Sequence, residues 1–383
     1  MSEPQRICQL VDHPKTKTRR SGRRRQRGLP LNPRLAFRRQ REAALPPTAD
    51  PRQLDLVAEI IEEAKYSHGE AFLAFTGDKR FVFSDSGRSF IMFAPKGRAR
   101  IAMADPVGFP EEFPELEAKF IDIARKGRGW PAFYSVSEET ADRHRSHGFS
   151  AEKIGERAVV DLSTFSLSGK GKKDLRNSRN KAIKAGCRFV VHEENAPDEL
   201  IASLKPVSDA WLEMKSGAEK TFSLGRFDPD YLRRFRLAVV YREDTPVAFA
   251  NVWSSKGLVT MDLMRFRDDG PGGGMDYLFT ELALWAQNEG FEELDLGLAP
   301  LAGLEDRKQD SLLARLGTLA YQHGRRFYNF DGLRTFKDKF DPVWHPAYIV
   351  AGSPWRIAAA VVAVAALTGG GLRGNLKRAR KRR

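Results

Sequence analysis

The sequence predicts an α+β protein in which two similar lobes follow one another along the chain. Its 383 residues are enough for two or three domains, at roughly 100–200 residues each. A composition of 41% hydrophobic and 30% charged residues is typical of a globular chain, and it excludes a disordered polymer or a polytopic membrane protein. The order strand, turn, helix, strand occurs once in each half, which indicates a repeated unit.

The first half begins with an amphipathic helix. Asp50 and Pro51 form a helix start, and apolar side chains recur on one face at Leu54, Val57 and Ile60. An acidic helix is predicted over 111–125, between strand-like runs with the sequences FLAFTGDKRFVFS, RSFIMFAPKGR, ARIAMADPVG and WPAFYSVS. We assign residues 51–165 to the first lobe.

The second half repeats this order. Its predicted strands LAVVYRED, PVAFANVWSS and LVTMDLMRF lead into the turn RDDGPGGG, a helix that begins near Met275 and the strand FEELDLGLA. Antiparallel strands that feed one parallel crossover beside a helix N-terminus build an acyltransferase fold of the GNAT type. We therefore predict tandem GNAT-like lobes that enclose a cleft, with residues 166–352 as the second, catalytic lobe.

The basic charge lies at the two ends of the chain. Residues 1–42 carry 13 Lys and Arg against 3 acids, and residues 373–383 carry 7 more without an acid, so a formal total of +14 leaves −3 for residues 43–372. Basic ends on a slightly acidic body predict adhesion to a polyanionic surface, either a membrane or RNA. Residues 1–50, rich in Arg, Pro and Gln, are predicted to form a disordered basic arm.

The segment 353–383 is predicted to be an interfacial apolar helix with a polybasic tail. Trp355 to Leu372 is almost continuously apolar, but at ~1.5 Å per residue it reaches only about 27 Å, borderline for a bilayer of roughly 30 Å. The basic residues that follow suit an anionic leaflet. An ordinary core helix followed by a disordered tail is the alternative.

Two basic stretches are candidate substrate-binding surfaces. In GKGKKDLRNSRNKAIKAG, helical spacing places Lys172, Arg176 and Arg179 on one face, beside Lys173, where they suit RNA or lipid phosphates. A solvated basic helix is the alternative. The candidates in FYNFDGLRTFKDKFDPVW suit a lipid headgroup or an RNA end, or else a packed aromatic edge, and they are Arg334, Lys337 and Lys339.

The strand MDLMRF supplies the candidate catalytic pair, Asp262 and Arg265. In a regular strand an odd separation places two side chains on opposite faces, so a shared site requires the strand to bulge or end between them. An acid here could hold an amino group or act as a base, an arginine could hold a phosphate, and an ion pair at a sheet edge is the alternative.

The glycine-rich turn that follows resembles a coenzyme A site only loosely. Arg267, Gly270 and Gly272 fit the pattern R-x-x-G-x-G, but Pro271 removes one amide from the phosphate cradle. We predict no cofactor. The seven histidines and two cysteines show no metal-ligand spacing, so no metal is predicted either.

Several of these motifs together resemble the C-terminal catalytic domain of phosphatidylglycerol lysyltransferases, the aminoacyl-phosphatidylglycerol synthases of bacterial multiple peptide resistance factors. The resemblance runs in order from about Leu54 to Gly352 and includes the stretches GDKRFVFS, HGFSAEKIGERAVVDL, KKDLRNSRNKAIKAG, EKTFSLGRFD, MDLMRF, LGLAPLAG and RRFYNFDGLRTFKDKFDPVWHPAYIV.

The resemblance implies an aminoacyltransferase that moves lysine or alanine from aminoacyl-tRNA to a glycerol hydroxyl of phosphatidylglycerol. Such transfer lowers the negative charge of the membrane and favours resistance to cationic antimicrobial peptides. In that family the aspartate and arginine of the D-L-M-R strand matter for activity, and they match Asp262 and Arg265. The implied location is the cytoplasmic face of the cell membrane.

The chain departs from the family pattern at its N-terminal side. Family members commonly carry a long flippase region there, and here a basic arm precedes the domain, so lipid flipping is not expected of this chain. The resemblance leaves room for a separate integral membrane flippase as a partner, besides aminoacyl-tRNA, phosphatidylglycerol and the anionic membrane surface. Competing hypotheses are aminoacyl or acyl transfer to a peptide or small amine, and a non-catalytic module that binds membrane or RNA.

Overall fold

The computed structural model describes residues 46, 48–215, 219–268, 274–303 and 330–369. Most of the predicted basic arm, the glycine-rich turn at 269–273 and the polybasic tail lie outside the described residues. The predictions made for those three segments therefore stay predictions.

Helices and strands alternate along the described chain. The helices are α1 (Pro51–Glu63), α2 (Phe113–Lys126), α3 (Glu138–Ser146), α4 (Lys173–Lys184), α5 (Asp198–Met214), α6 (Pro229–Leu232), α7 (Gly274–Asn288), α8 (Phe330–Asp338) and α9 (Pro354–Thr368), with 3-10 helices at Gly69–Thr76 and Pro110–Glu112. The strands are β1 (Arg80–Phe83), β2 (Phe90–Lys96), β3 (Ala99–Met103), β4 (Trp130–Val136), β5 (Ser150–Asp161), β6 (Cys187–His192), β7 (Arg236–Arg242), β8 (Thr245–Ser255), β9 (Leu258–Phe266), β10 (Glu293–Pro300) and β11 (Val343–Ala351).

The predicted start of α1 is confirmed. The Asp50 carboxylate accepts a hydrogen bond from the backbone N–H of Gln53 (2.9 Å), and the Gln53 side chain accepts one from the Asp50 N–H (3.4 Å). These two bonds satisfy amide groups that the first helical turn leaves without partners. Val57, Ile60 and Ile61 then bury the apolar face of the helix.

One predicted strand is wrong in part. Of the run FLAFTGDKRFVFS, only Arg80–Phe83 forms a strand, and the preceding residues belong to the 3-10 helix Gly69–Thr76. Gly69 lies so close to the second half that a β-carbon there would come within 2.7 Å of the Thr260 side chain. The hydroxyl of Thr76 donates to the carbonyl of Leu73 at 2.7 Å, a local bond that favours a helical turn over a sheet partner.

The strands form one sheet in the order β1-β2-β3-β4-β11-β5-β10-β9-β8-β7-β6. From the β1 edge inwards, antiparallel strands lead to the parallel pair β3 and β4, and β11 then pairs antiparallel with β4. From the β6 edge inwards, antiparallel strands lead to the parallel pair β9 and β10, and β5 then pairs antiparallel with β10. Each parallel pair is connected through a helix, α2 in the first half and α7 in the second. This repeated topology confirms the predicted tandem GNAT-like fold.

The two halves exchange a strand at the centre of the sheet. β5, from the first half of the chain, pairs with β10, while β11, from the second half, pairs with β4. β5 and β11 also pair with each other along nine positions. The predicted boundary at residues 165 and 166 stays a prediction, but each half of the sheet is completed by a strand from the other half of the sequence.

The helix α9 packs on the sheet rather than standing apart from it. Its buried residues Ile357, Ala360, Ala363 and Val364 join an apolar cluster that covers one face of the sheet in both halves. Among the described residues, no helix has both the length and the apolar character that crossing a membrane requires.

Candidate active site

A bulge in β9 brings the two candidate catalytic residues to one face. Ala250 of β8 pairs with Met264 and Val252 with Met261, so one residue of β8 faces two residues of β9. The Asn251 side-chain oxygen accepts a hydrogen bond from the Leu263 N–H at 2.7 Å, where the ladder is interrupted. The bulge required for a shared site is therefore present.

Asp262 lies in a buried polar pocket. One carboxylate oxygen accepts a hydrogen bond from the Gly225 N–H and the other accepts one from the Tyr231 hydroxyl, both at 2.8 Å. Burial raises the pKa of Asp262, although these two bonds and the charges of Arg265 and Lys79 act in the opposite direction. Burial, with the charge of Asp262, also raises the pKa of Tyr231, so the phenol stays a neutral donor.

A glycine is required at position 225 because a side chain would not fit there, and not because of the backbone conformation. A β-carbon at position 225 would lie 1.9 Å from one Asp262 oxygen and 2.8 Å from the Tyr231 ring. A side chain there is incompatible with the observed carboxylate position, because atoms this close overlap strongly.

Arg265 is held on two sides and has one unused donor. Its Nη2 bonds the Glu219 carboxylate at 2.9 Å, and its guanidinium lies 4.0 Å from the centre of the Trp211 ring. Its Nε is buried and has no hydrogen-bond partner within the described part of the chain. Burial also lowers the pKa of Arg265. A buried, unpaired N–H of a cation is suited to a substrate oxygen.

The first half of the chain contributes a buried cation to the same pocket. Lys79 is fully buried; its ammonium bonds Asp78 at 2.5 Å and lies 5.1 Å from the centre of the Phe222 ring. Asp78 also accepts a hydrogen bond from the Phe222 N–H at 2.8 Å. Burial lowers the pKa of Lys79, while Asp78 and Asp262 oppose that shift. The segment 222–225 therefore lies between an acid of each half.

The pairing of β9 with β10 ends beside Asp262. In the described sheet the parallel strands β9 and β10 pair only over 258–260 and 293–295, and each strand continues beyond that point. Next to Asp262 and Arg265, β9 and β10 therefore form no recorded ladder with each other, although each still pairs with its other neighbour, β8 or β5. This end of the parallel pairing supports the predicted cleft.

A second charged cluster lies where the two halves meet. Arg157 of β5 forms ion pairs with Glu70 and with Asp295 of β10. Asp105 accepts hydrogen bonds from the Tyr66 hydroxyl at 2.9 Å and from the Ser137 N–H at 3.1 Å. Arg157 therefore connects Glu70 of the 3-10 helix Gly69–Thr76 to β10, while the helix itself contacts β8 and β9.

Lys337 joins this cluster from α8. Its side chain is 3% exposed, and its ammonium donates to the Gly297 carbonyl at 2.7 Å, at the irregular part of β10. Burial lowers the pKa of Lys337 from 10.5 to about 7; the charge of Asp295 opposes this shift and that of Arg157 adds to it.

Replacement of Lys337 by Met should change how stability depends on pH. Between pH 7 and 10 the folded protein binds fewer protons at Lys337 than the unfolded chain, so wild-type stability should rise relative to Lys337→Met by up to about 1.4 kcal/mol per pH unit. Below that window the difference should be constant. Urea unfolding of both proteins between about pH 6 and pH 9 measures it. A difference that does not vary with pH would refute the lowered pKa.

Comparison with known proteins identifies the family. The family described as phosphatidylglycerol lysyltransferase, C-terminal, matches residues 58–351. The chain belongs to this family. It is 37% identical over 304 residues to the phosphatidylglycerol lysyltransferase of Bacillus subtilis, a match that covers 79% of this chain and 35% of that protein. The chain thus spans about a third of the length of the curated relatives it matches.

Two solved structures of similar proteins share the fold. The C-terminal domain of a lysylphosphatidylglycerol synthetase from Agrobacterium fabrum has 37% identity and a TM-score of 0.76, covering 85% of this chain and 99% of that one. The structure of L-PGS from Bacillus licheniformis has 32% identity and a TM-score of 0.77, covering 85% of this chain and 98% of that one. The similarity extends over nearly all of both solved chains.

In this chain, most of the predicted basic side chains of the α4 region have protein partners. Lys172 is buried and bonds the Lys339 carbonyl at 2.9 Å and the Asp341 carboxylate at 2.8 Å. Arg176 donates to the carbonyls of the preceding loop, and Arg179 bonds Glu281 at 2.6 Å. Lys173, in contrast, is exposed. The predicted substrate-binding role of this face stays a prediction.

The predicted basic residues in α8 and directly after it are also engaged. Arg334 bonds the Glu156 carboxylate at 2.8 Å and lies over the Trp344 ring. Lys339 bonds both oxygens of Asp276, at 2.9 and 3.0 Å. Together with Lys337 they connect the α8 region to β5, β10 and α7. Among the described residues, none of the three bonds the Asp262 carboxylate. Their predicted role in substrate binding stays a prediction.

Sequence reasoning missed four residues that form the Asp262 site, namely Lys79, Glu219, Gly225 and Tyr231. Three of them lie within stretches that carry the family resemblance, GDKRFVFS and EKTFSLGRFD. That resemblance was the signal that could have singled them out. Tyr231 lies just outside and had no signal of its own.

Proposed function

We propose that this chain transfers an aminoacyl group, lysyl or alanyl, from aminoacyl-tRNA to the glycerol hydroxyl of phosphatidylglycerol. The observation that carries the proposal is the bulge in β9, which brings a buried carboxylate and a buried guanidinium to one face of the strand, next to the point where its pairing with β10 ends. The family of the chain supplies the substrate class. The cytoplasmic face of the membrane is the proposed location, because aminoacyl-tRNA is made in the cytoplasm.

The proposed reaction needs little driving force from the protein. An aminoacyl ester is already activated, so moving the group to another hydroxyl is nearly isoenergetic, and orientation in a site that excludes water supplies most of the rate. The glycerol oxygen bonds the aminoacyl carbonyl carbon, the bond from that carbon to the ribose oxygen breaks, and the glycerol proton passes to the ribose oxygen. This transfer requires a group that accepts the proton from the glycerol hydroxyl and then releases it to the ribose oxygen.

Asp262 is the proposed carrier of that proton. Its carboxylate is held by Gly225 and Tyr231, and its raised pKa makes it a stronger base than an exposed aspartate. Holding the α-amino group of the donor is the other role open to the same carboxylate. Arg265 is proposed to meet the developing oxyanion, or the lipid phosphate, with its unused Nε.

The exposed side of α4 is the proposed tRNA-binding surface. Lys173, Lys181 and Lys184 are exposed there, so they can reach an RNA backbone without breaking an internal contact. Charge reversal at Lys172 would instead remove the bonds to Lys339 and Asp341 and so test folding as well as binding.

The proposed function is tested by lipid analysis. We expect expression of this chain, in a host that lacks aminoacylated lipids, to produce a lysyl or alanyl ester of phosphatidylglycerol detectable by mass spectrometry of the phospholipids. The matched control carries the empty vector. Unchanged lipids together with a newly acylated amine or peptide would support the competing transferase hypothesis, and unchanged lipids with no new acylated product would contradict both.

A further inference from the structure

A basic surface pocket lies at the start of β4, and it shares no residue with the candidate active site. It has a volume of about 240 Å³ and is formed where α2 and α3 end and where β4 and α9 begin. Its lining includes Arg125, His147 and Arg356 with the rings of Trp130 and Phe149, and no lining residue is acidic. A pocket of this charge suits a phosphate group.

The two arginines of the pocket are available for a ligand. Within the described ranges neither Arg125 nor Arg356 forms an ion pair, and both are exposed. Gly352 makes room for the Arg356 guanidinium, since a β-carbon there would lie 2.9 Å from its Nη1. Two guanidinium groups without carboxylate partners, close to aromatic rings, form a site for an anion rather than a closed structural contact.

The pocket adjoins an apolar surface. Ile357 and Ala360 bury one face of α9 in the core, but the opposite face carries Trp355, 74% exposed, and Val362, 61% exposed. Tryptophan beside aliphatic side chains is typical of the boundary between water and lipid. An RNA partner would fit the arginines but not this apolar face.

The sequence that follows α9 has the matching charge. Residues 373–383 contain seven Lys and Arg and no acid. An apolar helix face flanked by cations is attracted to anionic lipid by both burial and charge. The pocket, the exposed Trp355 and this basic stretch therefore favour the same kind of partner.

We infer that this end of the molecule docks on an anionic phospholipid bilayer, with a lipid phosphate between Arg125 and Arg356 and with Trp355 and Val362 at the interface. The docking site is separate from the candidate active site, because none of its lining residues bonds Asp262 or Arg265. The inference rests on the proposed function only for the reason that a lipid-modifying enzyme must reach a membrane.

Vesicle binding tests the inference. Sedimentation of the full chain with vesicles of phosphatidylglycerol and phosphatidylcholine should show an affinity roughly tenfold or more weaker for Arg125→Glu with Arg356→Glu, because two cations near an anionic surface become anions. Trp355→Ser should weaken binding and abolish the blue shift of tryptophan fluorescence on vesicle addition. Inorganic phosphate alone should cause no such shift.

The matched control is Lys126→Glu with Arg52→Glu, which changes the net charge equally outside the pocket. Equal weakening by the control pair would overturn the inference, as would unchanged binding of the pocket variants. Transfer to dispersed short-chain phosphatidylglycerol should be the same in the pocket variants and the wild type. Loss of vesicle binding with intact transfer therefore separates this inference from the proposed function, and transfer absent in all proteins would refute only the latter.

Discussion

Asp262→Asn is expected to lower the rate of aminoacyl transfer about 10²–10⁴-fold, the contribution typical of a general acid or base. Asparagine can keep the bond from the Gly225 N–H, and its amide can donate to the Tyr231 oxygen, but it cannot accept the glycerol proton. The measurement is transfer from labelled aminoacyl-tRNA to phosphatidylglycerol by the purified protein. A rate equal to that of the wild type would remove Asp262 from the mechanism.

The same variant should stay folded. Because burial raises the pKa of Asp262 in the folded protein, its ionised form costs stability at every pH above the unfolded value of about 4. A neutral isostere removes that cost, so the free energy of unfolding at pH 7 should fall by no more than about 1 kcal/mol. Asp122→Asn, on the exposed side of α2, is the control.

The kinetic constants distinguish the two roles proposed for Asp262. Loss of a proton carrier lowers kcat with little change in KM, since the substrates still bind. Loss of a contact to the α-amino group raises KM for aminoacyl-tRNA as well. We expect the first pattern, because both carboxylate oxygens are held by donors before substrate arrives.

The fold could be predicted because it depends on local pattern, whereas the catalytic role of Asp262 and Arg265 stays a prediction. Strand periodicity and the order strand, turn, helix, strand in each half indicated the repeated unit, and a site shared by Asp262 and Arg265 required the bulge that β9 contains. The exchange of β5 and β11 could not be predicted, because pairing partners far apart in sequence leave no mark on local periodicity.

The surroundings of the site could not be predicted for a related reason. Tyr231 and Lys79 reach Asp262 from distant segments, and nothing in their own neighbourhood indicates that meeting. For the basic stretches, the charge pattern did not predict which cations have protein partners. A run of cations does not reveal that Lys172 pairs with Asp341, far along the chain. Which basic residues remain free for a substrate is decided by tertiary packing.

Gly225→Ala is expected to reduce transfer roughly a hundredfold, because a misplacement of about 1 Å at a reacting group has an effect of that size. The added methyl group would lie 1.9 Å from an Asp262 oxygen, so the carboxylate or the segment 222–225 must move. Overpacking of this kind should also lower the free energy of unfolding by about 1–3 kcal/mol. Transfer assays and urea unfolding measure the two effects.

Gly171→Ala is the matched control for this substitution, since a β-carbon at position 171 meets nothing within 4 Å. It should change neither activity nor stability measurably. Combined with Asp262→Asn, Gly225→Ala should reduce the remaining rate far less than it does alone, because both changes disable the same carboxylate. If the two losses multiply in full instead, Gly225 acts on the reaction by a path that does not involve Asp262, and the proposed positioning of the carboxylate is wrong.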